Sequence, residues 1–177
     1  MESPFYKFDL IFKLVEESDA EFILSLRTDP VHARYLTHTD NNLQKQIEWI
    51  RTYKKREKKR QEYYFLFSDH NHQPLGVIRL YNITADTYTS GSWIVKPGCD
   101  EFVSIKSDLF ISEFAASELK NKRCVFDVRK DNKKVLRFHK MFAKITGEDE
   151  LNYYFTIDEE SAKQKIKFLT SIIQPNI

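Results

Sequence analysis

Hydrophobic and polar residues recur along this chain in patterns that predict a mixed α/β protein. Short apolar or alternating runs between turn-forming residues indicate strands, and apolar residues three and four positions apart indicate helices. The predicted strands cover residues 6–14, 62–68, 75–81, 87–96, 123–128 and 151–157. The predicted helices cover 18–28, 41–60, 104–119, 131–142 and 158–173, with an irregular loop at 31–42.

The order of these elements predicts the sheet topology. The strands between residues 62 and 96 follow one another across turns, so we expect them to pair in antiparallel fashion. The helix at 104–119 separates two strands, and such a unit joins parallel neighbours through a right-handed crossover. The predicted fold class is therefore α/β, a mixed and mostly antiparallel sheet flanked by helices, in a single domain over residues 1–177.

Composition and charge narrow the classes of protein. Hydrophobic residues make up 41% and aromatic residues 14%, which favours a chain that folds by itself. A net charge of +2 is too balanced to indicate a nucleic acid or membrane partner. Cys99 and Cys124 are too few for a disulfide framework or a four-ligand zinc site, so we expect free thiols and no metal. Without a signal peptide or an apolar spanning run, the predicted location is cytoplasmic.

The candidate chemistry is concentrated in one strand, turn and helix at residues 126–142. Asp127 lies on the strand, and the turn contains Asp131, which we expect to cap the helix, and Asn132. His139 is the titratable residue on the apolar face of that helix. An acid, an amide and an imidazole this close in sequence form a candidate site.

Residues 126–132 read Phe-Asp-Val-Arg-Lys-Asp-Asn. This run, the strand at 76–80 and the helix carrying Trp49 resemble the Gcn5-related N-acetyltransferase (GNAT) family, in particular its ribosomal-protein N-acetyltransferase branch. The resemblance covers residues 10–157. It implies a GNAT fold, acetyl-CoA as co-substrate and transfer of an acetyl group to an amine.

One segment departs from the family pattern. The family's acetyl-CoA loop has the form Gln/Arg-x-x-Gly-x-Gly/Ala, and its positions fall near Cys99, Phe102 and Ser104, where neither glycine is present. A pyrophosphate is held there by backbone N–H groups at a helix N-terminus, which residues other than glycine also supply. Ser104 adds a hydroxyl and Lys106 a counter-charge. We therefore expect CoA binding to be retained, the alternative being a member that has lost it or changed its ligand.

The resemblance also assigns the cofactor contacts. It places the pantetheine arm between two splayed parallel strands, here 92–96 and 124–128. The implied cofactor-binding residues are the strand residues whose N–H groups would face the thioester, the loop residues and the turn amide: Ile94, Val95, Lys96, Phe102, Val103, Ser104, Ile105 and Asn132. Asn132 has a simpler alternative, because Asn is favoured at helix starts.

Two residues receive catalytic roles from the resemblance. Asp127 stands where several members carry a glutamate that acts as general base, and its alternative is an ion pair with Arg129 or Lys122. His139 stands where the family often has a tyrosine that protonates the departing thiolate. An imidazole can donate such a proton. The alternative is a hydrogen-bonded histidine in the core.

Other polar segments carry weaker indications. His32, Tyr35 and His38 could line an acceptor pocket or lie on the surface. The basic run at 54–60 is expected to be a solvated helix end, although an acceptor carrying phosphates could use it.

The predicted function is acetyl-CoA-dependent transfer of an acetyl group to a primary amine of a small molecule, with an amino sugar linked to a nucleotide as first choice. The alternatives are an acetyltransferase for protein N-termini and a non-catalytic binding or interaction module on the same fold. The expected partners are acetyl-CoA and the amine acceptor, with no nucleic acid and no membrane, and the chain is expected to be a monomer or homodimer.

Overall fold

A computed structural model describes residues 3–174 of the chain. The strands are β1 (Phe5–Lys7), β2 (Leu10–Leu14), β3 (Tyr63–Ser68), β4 (Pro74–Tyr81), β5 (Thr87–Val95), β6 (Arg123–Arg129), β7 (Lys144–Glu148) and β8 (Asn152–Ile157). The α-helices are α1 (Ala20–Thr28), α2 (Pro30–Ala33), α3 (Leu43–Lys58), α4 (Glu101–Glu118), α5 (Lys133–His139) and α6 (Glu159–Ile173).

The strands form one eight-stranded sheet in the order β1-β2-β3-β4-β5-β6-β8-β7. Every pair of neighbours is antiparallel except β5 and β6, which are parallel and joined by α4. The predicted fold class, the antiparallel run from β3 to β5 and the crossover through α4 are therefore confirmed.

Helices cover both faces of the sheet. On the face that packs against α4 and α6, here called the α4 face, the core is aromatic, and the rings of Phe12 and Phe110 stack with centroids 3.8 Å apart. On the opposite face, called the α3 face, residues of α1 and α3 pack on β3 and β4. The Tyr53 hydroxyl accepts a hydrogen bond from the Tyr64 amide at 3.0 Å, which fixes α3 to β3.

The sequence prediction was wrong in the first strand, because residues 6–14 form a hairpin of β1 and β2. Phe8 and Asp9 make the turn with φ of 56° and 60°. Such a tight turn needs the left-handed region at both positions, and its usual signal is Asn-Gly or Asp-Gly. Phe-Asp carries no such signal, so the run looked continuous.

Other boundaries differ from those predicted. α4 begins at Glu101 instead of Ser104, and α5 ends at His139 instead of Phe142. The predicted loop at 31–42 begins with α2, and β7 was not predicted. All residues of β7 are exposed, so the strand lacks the buried face that produces a hydrophobic alternation.

No helix within residues 3–174 is both long and apolar enough to cross a membrane.

Candidate active site

The two parallel strands diverge and leave a slot between them. β5 and β6 pair only through Thr87 with Arg123 and Tyr88 with Cys124. Beyond these pairs, β5 remains bonded to β4 and β6 to β8. The facing edges of residues 89–95 and 125–129 therefore lack a strand between them, and unpaired backbone groups of this kind can bind an extended ligand.

A bulge in β5 shapes one wall of the slot. Ser92 has φ of 47°, and the register with β4 shifts between Val77 and Arg79. Past the bulge, the Lys96 amide donates to the Leu75 carbonyl at 2.7 Å, so it faces β4. Since N–H groups alternate in direction along a strand, Ile94 also faces β4 and Val95 faces the slot. Of the three predicted N–H donors at 94–96, only that of Val95 therefore faces the slot.

The N-terminus of α4 has an acidic cap. The Asp100 carboxylate accepts from the Phe102 amide at 2.7 Å. The predicted loop residues Phe102, Val103, Ser104 and Ile105 consequently lie in the first turns of the helix. One backbone donor is already used, and a carboxylate occupies the position where an anionic ligand would bind. The preceding loop still offers open backbone at Gly98, which has φ of 84° and nothing within 4 Å of its Cβ position.

Asp127 projects from β6 toward the α3 face, since side chains alternate along a strand and Phe126 packs on the α4 face. Its side chain is exposed and makes no hydrogen bond or ion pair within residues 3–174. Arg129 lies 3.6 Å from Asp131, and Lys122 donates to the Ala85 carbonyl at 2.7 Å. Neither of the partners considered for Asp127 binds it, so the carboxylate is unpaired within the described residues.

Tyr81 on β4 is a site residue that the sequence reasoning missed. A Cβ on Gly91 would lie 2.9 Å from the Tyr81 hydroxyl, so the phenol lies directly against β5 beside the slot. Burial raises the pKa of Tyr81; the Arg79 guanidinium opposes this shift and the Asp127 carboxylate adds to it. The hydroxyl is thus a donor at neutral pH on the same face as Asp127. The available signal was Gly91 itself, because a glycine inside a strand often marks a close approach.

His139 lies on the α4 face, at the end of α5. Its ring contacts Phe126 with centroids 4.6 Å apart, and its Nδ1 is buried without a hydrogen-bond partner in the described part of the chain. Burial, together with the ammonium of Lys165, lowers the pKa of His139 to about 3. The ring is therefore neutral at pH 7. Asp127 and His139 flank β6 from opposite faces and do not form one cluster.

Comparisons with known proteins agree with this geometry. The family model described as an acetyltransferase (GNAT) domain matches residues 9–142. The apo structure of FdhC, a nucleotide-linked sugar GNAT, is 31% identical, with 95% of this chain and 97% of that chain covered and a TM-score of 0.81. This chain belongs to the GNAT family. A search of curated proteins finds no significant match.

Two further GNAT structures share the fold at lower identity. Ribosomal-protein-S5-alanine acetyltransferase from Vibrio fischeri is 14% identical, with 90% of this chain and 98% of that chain covered and a TM-score of 0.75. Spermidine N-acetyltransferase from Vibrio cholerae, in complex with CoA and spermine, is 15% identical. The match covers 88% of this chain and 98% of that chain, with a TM-score of 0.72. At these identities the likeness shows the fold alone.

Members of the GNAT family use acetyl-CoA as co-substrate. In this GNAT protein the slot fits an extended pantetheine arm, because strand edges face it from both sides and Val95 offers a donor. The N-terminus of α4 fits a pyrophosphate less well, because Asp100 and Glu101 bring negative charge to it.

The remaining predicted residues have plain structural positions. Asn132 is the N-cap of α5 and its side-chain oxygen accepts from the Val135 amide at 3.4 Å; Asp131, which was expected to cap this helix, does not. On the connection between α1 and α3, His38 is exposed and lies 3.3 Å from Asp40, and the Arg34 guanidinium stacks 4.5 Å above the Tyr35 ring.

The lowered pKa of His139 predicts that this GNAT protein loses stability in acid. In the unfolded chain the imidazole titrates near 6.5, whereas in the folded protein it titrates at about 3. Below pH 6.5 the unfolded state therefore binds a proton that the folded state does not, and the contribution is lost progressively down to pH 3. The expected loss between pH 7 and pH 4 is about 3 kcal/mol in the free energy of unfolding.

Urea unfolding at pH 7 and pH 4 measures this loss, with His139→Phe as the comparison, because phenylalanine suits the aromatic surroundings and does not titrate. The variant should show a pH dependence smaller by about 3 kcal/mol. Equal pH dependence in both proteins would show that His139 is protonated in the folded protein at pH 4.

Proposed function

We propose that this GNAT protein transfers the acetyl group of acetyl-CoA to a primary amine of a small molecule, with a nucleotide-linked amino sugar as the acceptor. The observation that carries the proposal is the slot between β5 and β6, bordered on its α3 face by the unpaired carboxylate of Asp127. The 31% identity to a nucleotide-linked sugar GNAT supports the choice of acceptor over a protein N-terminus.

In the proposed reaction the pantetheine arm pairs with the edge of β5 through Val95. Asp127 accepts a proton from the acceptor ammonium, directly or through one water, because the unshared electron pair is needed for attack. The amine nitrogen then bonds to the thioester carbonyl carbon, and the carbon–sulfur bond breaks. The products are the acetamide and CoA, whose sulfur takes up the second proton lost by the nitrogen.

His139 is the proposed relay of that last proton, which its ring would accept from the nitrogen and pass to the sulfur. In the free protein its lowered pKa leaves the ring neutral, and a neutral imidazole is a poor acid. A thiolate formed beside it would raise the pKa, because a nearby negative charge favours the imidazolium. This role requires the sulfur to lie on the α4 face of the slot.

A second function, ligand binding without catalysis, is favoured by one observation. Asp100 caps α4 at the place where a pyrophosphate would bind, and like charges repel there. Direct measurement of CoA binding separates the two functions.

Acetyl-CoA at 100 times its dissociation constant should stabilise the folded protein by about 2.7 kcal/mol, which raises the melting temperature by several degrees. Thermal unfolding with acetyl-CoA, CoA and no ligand measures this shift. Release of the free thiol in the presence of amino-sugar nucleotides, with N-terminal peptides in parallel, then identifies the acceptor class. No thermal shift with either CoA species would exclude the enzyme function.

A further inference from the structure

A buried carboxylate on the α3 face holds two arginines. The Glu62 side chain is 3% exposed, and its two oxygens accept separately from Nε of Arg56 and Nε of Arg79. Arg56 comes from α3 and Arg79 from β4, so the pair spans the junction between helix and sheet. One arginine would neutralise Glu62, and the second leaves a net positive charge.

Aromatic rings fix the direction of both guanidinium groups. Arg79 lies between Trp49 and Tyr81, with its guanidinium carbon 4.9 Å and 4.4 Å from the two ring centroids. Arg56 lies 5.6 Å from the Trp49 ring. Stacking of this kind stabilises a planar cation and limits its rotation. The two groups are therefore pre-organised before any ligand arrives.

The terminal Nη groups of both arginines are available for further hydrogen bonds. Within residues 3–174, no hydrogen bond involves the Nη groups of Arg56 or Arg79, although their Nε atoms are bonded. Neither side chain is fully enclosed, with exposures of 33% and 18%. Two adjacent guanidinium groups with free N–H donors match the oxygens of a phosphate, which they can bind in bidentate fashion.

A purely structural role accounts poorly for this arrangement. Burying charged groups costs desolvation, and a buried ion cluster is often no more stabilising than apolar residues of similar size. The cluster of Glu62, Arg56 and Arg79 also adjoins the slot. Tyr81 contacts Arg79 on one side and lies against Gly91 of β5 on the other. A ligand held by the arginines would thus reach the face on which Asp127 lies.

We propose that Arg56 and Arg79, oriented by Glu62, Trp49 and Tyr81, bind the diphosphate of the acceptor and so select a nucleotide-linked substrate. This inference rests on the proposed function and assigns the residues that recognise the non-reacting part of the acceptor. The sugar amine would then point toward Asp127, while the acetyl donor occupies the slot.

The test is calorimetric titration of CoA-loaded protein with uridine, thymidine, guanosine and cytidine diphosphates. Prior saturation with CoA keeps these probes out of the CoA pyrophosphate site. Arg79→Lys should lower the affinity for the nucleoside diphosphate that the wild type binds by about 10- to 100-fold. Lysine keeps a cation beside Glu62 but lacks the planar pair of donors. Arg56→Lys should lower this affinity in the same way. A melting temperature near that of the wild type shows that each variant folds.

Arg51→Gln is the matched control. Arg51 lies on α3, is 55% exposed and pairs with Glu17 at 2.9 Å, away from the cluster. This variant should bind the diphosphate like the wild type. With an amino-sugar nucleotide that is turned over, Arg79→Lys should raise KM with little change in kcat, since the contact is the same in ground and transition states.

Two results would overturn the proposal: no diphosphate binds the wild type, or Arg79→Lys, Arg56→Lys and Arg51→Gln all bind it with wild-type affinity. A failure of CoA to bind counts against the proposed function alone, because titration of the CoA-free protein still tests the arginine pair. CoA binding without diphosphate binding counts against the arginine pair alone.

Discussion

Replacing Asp127 by asparagine should lower kcat for acetyl transfer by about 10²- to 10³-fold, within the range that general base catalysis contributes. The amide has the shape of the carboxylate and cannot accept the proton of the acceptor ammonium. Asp127 makes no hydrogen bond or ion pair within residues 3–174, so the substitution removes no such contact. Stability and the dissociation constant for acetyl-CoA should therefore be unchanged.

Steady-state kinetics and CoA titration on the same preparation separate these effects, and Asp86→Asn provides the control. Asp86 is an exposed aspartate in the turn between β4 and β5, and its side chain makes no hydrogen bond in the described part of the chain. The control should retain wild-type kcat. If Asp127→Asn also retains wild-type kcat, the base is another group, and the role proposed for Asp127 is wrong.

The part of the fold that could be predicted is the part with strong burial. β3 is buried along its whole length, and β4 and β5 follow it across recognisable turns, so their apolar runs stand out. The hairpin of β1 and β2 and the strand β7 could not be predicted in the same way. Phe8 and Asp9 reverse the chain without a glycine or asparagine, and β7 has no buried residue.

The sequence reasoning proposed the residues of the candidate site one by one, but it did not predict how they are arranged. Asp127 and His139 are close in sequence, and the sequence reasoning grouped them with Asn132. Phe126 packs against His139, and the alternation of side chains along the strand turns Asp127 to the other face. This alternation could have been read from the sequence. The pKa of His139 could not be predicted, because it depends on burial and on Lys165 from a distant helix.

The arginine pair shows the limit of sequence reasoning most clearly. The run at 54–60 was expected to be a solvated helix end, yet Arg56 turns inward to Glu62. Glu62 directly precedes β3, Arg79 lies on β4 and Trp49 on α3, and only tertiary packing brings them together. A basic run therefore does not show which of its residues remain in water.

Lys165→Met is expected to destabilise the fold by about 3–5 kcal/mol, the cost of leaving one partner of a buried ion pair alone. The Lys165 ammonium lies 2.8 Å from the Asp108 carboxylate, and the two side chains are 7% and 4% exposed. The pair joins α6 to α4, and without the lysine the carboxylate stays buried without its partner. Urea unfolding of the variant at pH 7 measures the loss.

The double variant Lys165→Met and Asp108→Leu should recover most of that loss, since replacing both partners by apolar residues is often neutral or stabilising. Both variants should also raise the pKa of His139, because the Lys165 ammonium contributes to lowering it. An NMR titration of the imidazole follows this change independently of stability. A single variant as stable as the wild type would mean that Asp108 reaches water, and an unchanged pKa would leave burial as the sole cause of the neutral histidine.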